Sequence, residues 1–141
     1  MQPIPTIGVL VFRNNLQEVL LVKHGEKAGA ETGIYGLPAG RIEEGESAIE
    51  ATVRELKEET GLKATQENLI ELPYDFGVNE LKRKSGTLIC TWQVFVCEEF
   101  TGELRGSGET TPEWIKVFDV SKLWLLNNIQ TAVLEGLKFL N

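Results

Sequence analysis

The chain has 141 residues, a length that fits one domain with enough surface to bury for a self-sufficient core. Its formal net charge of −7 argues against nonspecific nucleic-acid binding, which needs a basic footprint, and leaves any anionic substrate dependent on cations at its site. No signal peptide is read at the start and no apolar run approaches the ~20 residues of a membrane span, so a cytoplasmic protein without membrane or nucleic-acid-polymer partners is expected.

In chain order, Thr6–Phe12 and Glu18–His24 are β-rich runs separated by a turn-rich connection over 13–17, which reads as a hairpin. Gly25–Gly33 reads as a loop, and Ile34–Gly40 as one short strand. The spacing then predicts a helix over about 47–60. Ser47 is its N-cap, with Glu50 in the capping-box position, and Gly61 is its left-handed C-terminal residue. Ile49, Val53, Leu56 and Thr60 form its core stripe, and Glu50 and Arg54 fall on a solvent face where they can pair at i, i+4. Asn68–Val78 is partly extended, Lys82–Gly86 reads as a solvated basic turn able to hold a substrate tail, and Thr87–Phe100 is the longest β run, expected at the sheet centre. Thr101–Pro112 reads as a loop and Glu113–Val120 as a last strand. From Ser121 the pattern turns helical, with an apolar face of Ile129, Val133, Leu137 and Leu140 and an N-cap at Asn127 or Asn128. Cys90 and Cys97 are seven apart on one expected strand and so project to opposite faces, which argues against a disulfide between them.

Strands before and after one internal helix, then a terminal helix, predict an α/β fold, a mixed sheet with helices on both faces. The internal helix carries the chemistry. Glu55, Glu58 and Glu59 fall within roughly a 100° arc of one face, an arrangement that repels itself unless a cation joins it. Clustered carboxylates on a rigid helix suit hard divalent ions, which can neutralise a pyrophosphate and orient a water.

Gly40, Glu46, Arg54, Glu55, Leu56, Glu58, Glu59, Gly61 and Leu62 together match the Nudix box, nine specified positions over 23 residues without a gap. The chain therefore resembles a Nudix hydrolase of the MutT-like kind. The resemblance implies a single domain over 1–141 with the Nudix α/β/α sandwich. It also implies Mg²⁺ as cofactor, with Mn²⁺ an alternative, held by Gly40, Glu55, Glu58 and Glu59, while Glu46 and Arg54 hold the carboxylates in place. The implied activity is hydrolysis of nucleoside diphosphates linked to a group X, with nucleoside triphosphates giving the monophosphate and pyrophosphate favoured. Leu37-Pro38-Ala39-Gly40 also resembles ADP-ribose-hydrolysing members, so ADP-ribose or a nucleotide sugar is the alternative. A noncatalytic nucleotide sensor is the alternative of another class.

Outside the box, Pro112-Glu113-Trp114 resembles the pair with which MutT-like members bring a further glutamate to the metals. Glu113 is thus the expected extra ligand or base, with Glu109 the runner-up. Lys23 and His24 are candidates to grip phosphate. Asn127 and Asn128 can read a purine edge, although capping is the blander role. Tyr35, Tyr74, Phe76 and Trp92 can stack a base, although core packing is the ordinary role of strand aromatics. The expected partner is a small nucleotide, bound by a monomer or a homodimer.

Overall fold

The computed structural model describes residues 2–141. Its frame is β1 (Ile4–Arg13), which lies parallel to β7 (Gly86–Cys97) and antiparallel to β2 (Glu18–His24) and β4 (Ala39–Arg41). The other strand-to-strand pairings are antiparallel: β3 (Tyr35–Gly36) and β8 (Thr110–Lys116) on β2, and β5 (Leu69–Glu71) and β6 (Val78–Arg83) on β7. The sheet is mixed, as expected.

Period-two alternation along β1 divides the core. Ile7, Val9 and Val11 face α1 (Ala48–Thr60), whereas Leu10 and Phe12 face α2 (Ile129–Leu140), and all five are fully buried. A strand covered on both faces needs apolar residues at successive positions, which is what Ile7 to Phe12 supply apart from Gly8. The absent side chain at Gly8 has its own use: a Cβ there would lie 2.8 Å from the Trp92 indole nitrogen. On the far face α2 packs through Ile129, Ala132 and Val133, with Leu137 and Leu140 at the margin.

Helix α1 is capped as predicted. The Ser47 side chain accepts from the Glu50 N–H, the Glu50 carboxylate accepts from the Ser47 N–H, and Gly61 has φ +83°. Its buried face differs from the predicted stripe. Ala51, Thr52, Leu56 and Thr60 are fully buried and Ile49 and Val53 only partly. Small Ala51 and Thr52 permit the helix to approach the sheet, and the hydroxyls of Thr52 and Thr60 are satisfied by carbonyls one turn back, Ala48 O at 2.9 Å and Leu56 O at 2.6 Å.

Several strand boundaries also differ. The strand expected over 34–40 is two, β3 and β4, broken at Leu37-Pro38 because proline has no N–H for the ladder. Lys82 and Arg83 belong to β6, and the turn is only Lys84-Ser85, with Arg83 paired to Gly86. Strand β8 begins at Thr110 and runs through Pro112. An edge strand tolerates this, since β8 pairs only with β2. Beyond it, Val117–Lys122 is a 3₁₀ helix rather than strand, and α2 starts at Ile129, later than the pattern from Ser121 suggested. Cys90 and Cys97 lie on β7 as free thiols. No helix among the described residues is long and apolar enough to cross a membrane.

Leu56 anchors α1 and is 0% exposed. Leu56→Ala is expected to lower the unfolding free energy by about 2–5 kcal/mol in urea titrations, through lost burial and the cavity left behind.

Candidate functional site

The rotation of α1 toward Ala51 and Thr52 sets its glutamates at unequal depth. Glu59 is turned inward beside Thr60. It accepts from the Ala39 N–H at 3.2 Å and more weakly from the Thr110 hydroxyl at 3.4 Å. Burial outweighs these bonds and pushes its carboxyl up to about 8. Glu55 is also raised, again chiefly by burial. It lies against β4, where a Cβ on Gly40 would come within 2.2 Å of its carboxylate, so only glycine leaves it room. Glu58 points outward, its side chain 60% exposed.

Arg54 sits among these acids rather than pairing with Glu50 in water. The Glu50 carboxylate is occupied by the Ser47 cap and is not free to take it. Arg54 instead forks onto Glu46 at 2.7 and 2.9 Å, donates to Glu55 at 2.9 Å and Glu58 at 3.2 Å, and gives its last N–H to the Arg41 carbonyl at 3.0 Å. All five guanidinium donors are used. Glu46 also accepts the Glu43 N–H, and the Arg54 fork holds its carboxyl down to about 2.

Two compartments open from this region. One, of about 400 Å³, is walled by Glu55, Glu58, Glu59 and Glu109 together with His24, Arg83 and Thr110. The other, of about 180 Å³ and largely apolar, is lined by Leu37, Leu81, Leu88, Trp92 and Leu126, with Asn79, Asn127 and Asn128 as polar groups. Ala39, Glu59, His24 and Arg83 belong to both walls, so the compartments adjoin.

The acidic compartment offers hard oxygen donors and no soft ones, which fits Mg²⁺ or Mn²⁺. Among the described residues no three acidic, imidazole or thiol side chains already converge on one point. Arg54 explains this, since it holds Glu55 and Glu58 as their countercharge. Mg²⁺ needs only one or two carboxylates and keeps waters, so the donor chemistry suits it without a ready-made cage.

The other predicted residues divide. His24 lines both compartments. A carbonyl can only accept, so Nδ1 carries the proton that bonds Ile34 O at 2.8 Å, and burial lowers the ring's pKa below its ordinary value. Asn128 is the N-cap residue of α2, as expected, but its side chain makes no capping bond. Its φ is +68°, and its side chain donates to the Asn79 side chain, while Asn127 donates to Glu80 O at 3.4 Å. Trp92 lines the apolar compartment and packs against Phe76, which in turn meets Tyr74.

Lys23 and Glu113 are not brought to the box. Glu113 is paired in register with Leu21, which faces α2, so the pleat turns it away from α1, whereas its neighbours Thr110 and Trp114 face α1. Its carboxylate accepts the Tyr35 hydroxyl at 3.1 Å, and the Lys23 ammonium lies 5.9 Å from the Tyr35 ring. Burial, then Glu113, raises the Tyr35 pKa. Residues that the sequence pattern did not single out are Asn79 and Leu81, because β6 was not recognised as a strand.

The family model described as NUDIX domain matches residues 2–137. The human 8-oxo-dGDP phosphatase NUDT18 (Homo sapiens) is 42% identical over 66 residues, 47% of this chain but only 20% of that protein. The mouse (Mus musculus) asymmetrical bis(5'-nucleosyl)-tetraphosphatase is 27% identical over 144 residues, covering 94% of this chain and 92% of its own. Among solved structures, the MutT NUDIX hydrolase from Burkholderia pseudomallei superposes with a TM-score of 0.76 at 24% identity over 96% of this chain and 98% of the other.

The buried carboxyl of Glu59 makes stability depend on pH. Its folded value of about 8 exceeds the ordinary 4.5, so the neutral form is favoured on folding. That contribution is complete below about pH 4.5 and is lost as pH rises through 8. His24 acts oppositely within the same window, because its lowered pKa makes stability fall as pH drops. Comparison with Glu59→Gln isolates the glutamate: in urea titrations with EDTA, the variant should gain stability relative to wild type progressively from pH 5 to pH 8.

Proposed function

Since the chain belongs to the Nudix family, we propose that it is a Mg²⁺-dependent pyrophosphohydrolase of nucleoside diphosphates linked to a group X, acting chiefly on nucleoside triphosphates. The observation that carries this is the adjoining pair of compartments, one apolar with three asparagines and one walled by four glutamates, joined at Glu59 and Ala39. A base fits the first chemically and a diphosphate with its counterion the second. Glu55, Glu58 and Glu59, with the Gly40 backbone, would hold the ion. When bound there it supplies charge neutralisation and a more acidic water.

The chain's own groups do the rest. Asn127 and Asn128 present amide edges to the base, and Trp92 offers an aromatic surface. Arg54 fixes the carboxylates, and His24, whose Nδ1 proton is committed to Ile34 O, shapes the wall beside the phosphates without donating to them while neutral. Glu109 lies on the loop before β8 and is fixed by its backbone, whose carbonyl accepts the Gly25 N–H at 2.8 Å. As water adds to phosphorus and the bridging P–O bond breaks, Glu109 takes the water's proton and pyrophosphate departs. Glu113, bonded to Tyr35 on the other sheet face, is displaced from that role. The cytoplasm is the proposed location.

The similarity to the tetraphosphatase over nearly the whole chain favours a second reading, a dinucleoside polyphosphate as substrate. A panel of nucleoside triphosphates, dinucleoside tetraphosphates and ADP-ribose, scored by kcat/KM with Mg²⁺, decides among them. Triphosphates should lead, and a clear preference for either other class overturns the favoured substrate. Glu58→Gln and Glu59→Gln should each abolish most Mg²⁺-dependent turnover, and full activity in both would refute the metal site. Glu109→Gln should cut kcat by about 10²–10⁴-fold, with Glu113→Gln close to wild type.

A further inference from the structure

The acidic cleft contains one guanidinium that the proposed reaction has not yet used. Arg83 is at the end of β6 and lines both compartments. Among the described residues it takes part in no ion pair, although it borders a wall of glutamates. Its neighbours in the basic run are placed differently. Lys82 is exposed, and the Lys84 ammonium donates to Glu26 O at 2.9 Å. The Lys84 N–H also donates to Gly29 O at 2.8 Å, so the tip of the β6–β7 hairpin is clasped to the loop over 25–33. That clasp holds Arg83 over Gly29, where the guanidinium occupies the space that a side chain would take. A Cβ on Gly29 would fall 1.6 Å from Nη2 of Arg83.

Among the described residues Arg83 is the one lysine or arginine that lines both compartments. Arg54 has all its donors occupied, Lys23 lies beside Tyr35 on the other face, and Arg41 lines the apolar compartment alone. We propose that Arg83 is a substrate-binding residue that grips the phosphoryl group nearest the nucleoside, where the chain of phosphates passes from the base compartment to the carboxylate compartment. This rests on the two-compartment reading above. A planar fork suits two oxygens of one phosphoryl group, and the hairpin clasp brings it there already positioned. It also answers how an acidic chain admits an anion before any divalent ion contributes.

The test avoids turnover and metal. Binding of the four deoxynucleoside monophosphates and of the four matching deoxynucleosides is measured by calorimetry in magnesium-free buffer with EDTA. Wild type should bind the best monophosphate about 10- to 100-fold more tightly than its nucleoside. Arg83→Gln should erase that preference while leaving the affinity for the nucleoside and the thermal midpoint unchanged, and Arg83→Lys, which keeps the charge but not the fork, should restore part of it. The proposal is overturned if wild type shows no preference for the monophosphate, if Arg83→Gln retains it, or if both ligands weaken equally. Failure of every substrate in the Mg²⁺ panel, with this preference intact, would instead refute the proposed hydrolysis.

Discussion

The constraint on which the site depends is the presence of one guanidinium inside a ring of carboxylates. Arg54 joins Glu46, on the loop before α1, to Glu55 and Glu58 on the helix, and ties both to the backbone at Arg41. Without it, three acids would have to share a small volume in a chain already carrying seven excess negative charges. Lysine could replace the charge but not the geometry, because a single ammonium cannot fork onto one carboxylate while reaching two others and a carbonyl. The loop is therefore ordered by the same contact that restrains the helix acids.

The glutamates around Arg54, on α1 and on the loop before it, are chemically distinct although they lie close together. Glu46, gripped by Arg54, is a strong acid. Glu59, beneath the edge of β8, is a weak one, and Glu58 stands in solvent. The gradient follows from the tilt of the helix around its own axis, which is set by what packs beneath it. Ala51 and Thr52 are small enough to be pressed against the sheet, and that choice carries Glu55 and Glu59 toward the protein interior. The electrostatics of the site is thus decided by two residues with little charge or hydrophobicity of their own.

This also explains what could be read from the sequence. The capping box, Gly61 and the residues of the Nudix box were legible because each depends on local spacing, whereas the α/β/α sandwich followed from the resemblance that those residues carry. The depth of the glutamates was not, since Ala51 and Thr52 carry a weak apolar signal beside Ile49 and Val53. Strand β6 escaped because Val78–Arg83 is polar and exposed along much of its length and is held by pairing with β7 rather than by burial. The direction of Glu113 depended on register: Pro112 suggested a strand starting after it, yet β8 starts at Thr110 and pairs Glu113 with Leu21. The apolar compartment could not be seen at all in local pattern, because Leu37, the β7 pair Leu88 and Trp92, and Leu126 come from three separate segments.

The parallel pairing of β1 with β7 has a further consequence, in time rather than in space. The bond from the Thr6 hydroxyl to the Thr91 carbonyl joins residues 85 positions apart. During synthesis β1 can meet β2 and β4 early, but the strand that covers its other edge emerges only after α1 and the β6 hairpin arm have been made. Closing so long a loop delays the reward of contact, so folding of the central sheet should wait for β7 and the nascent chain should expose an unpaired apolar edge until then. A chain of this topology is most exposed to misassociation late in its own translation, when the helix bearing the carboxylates exists but the floor beneath it is still incomplete.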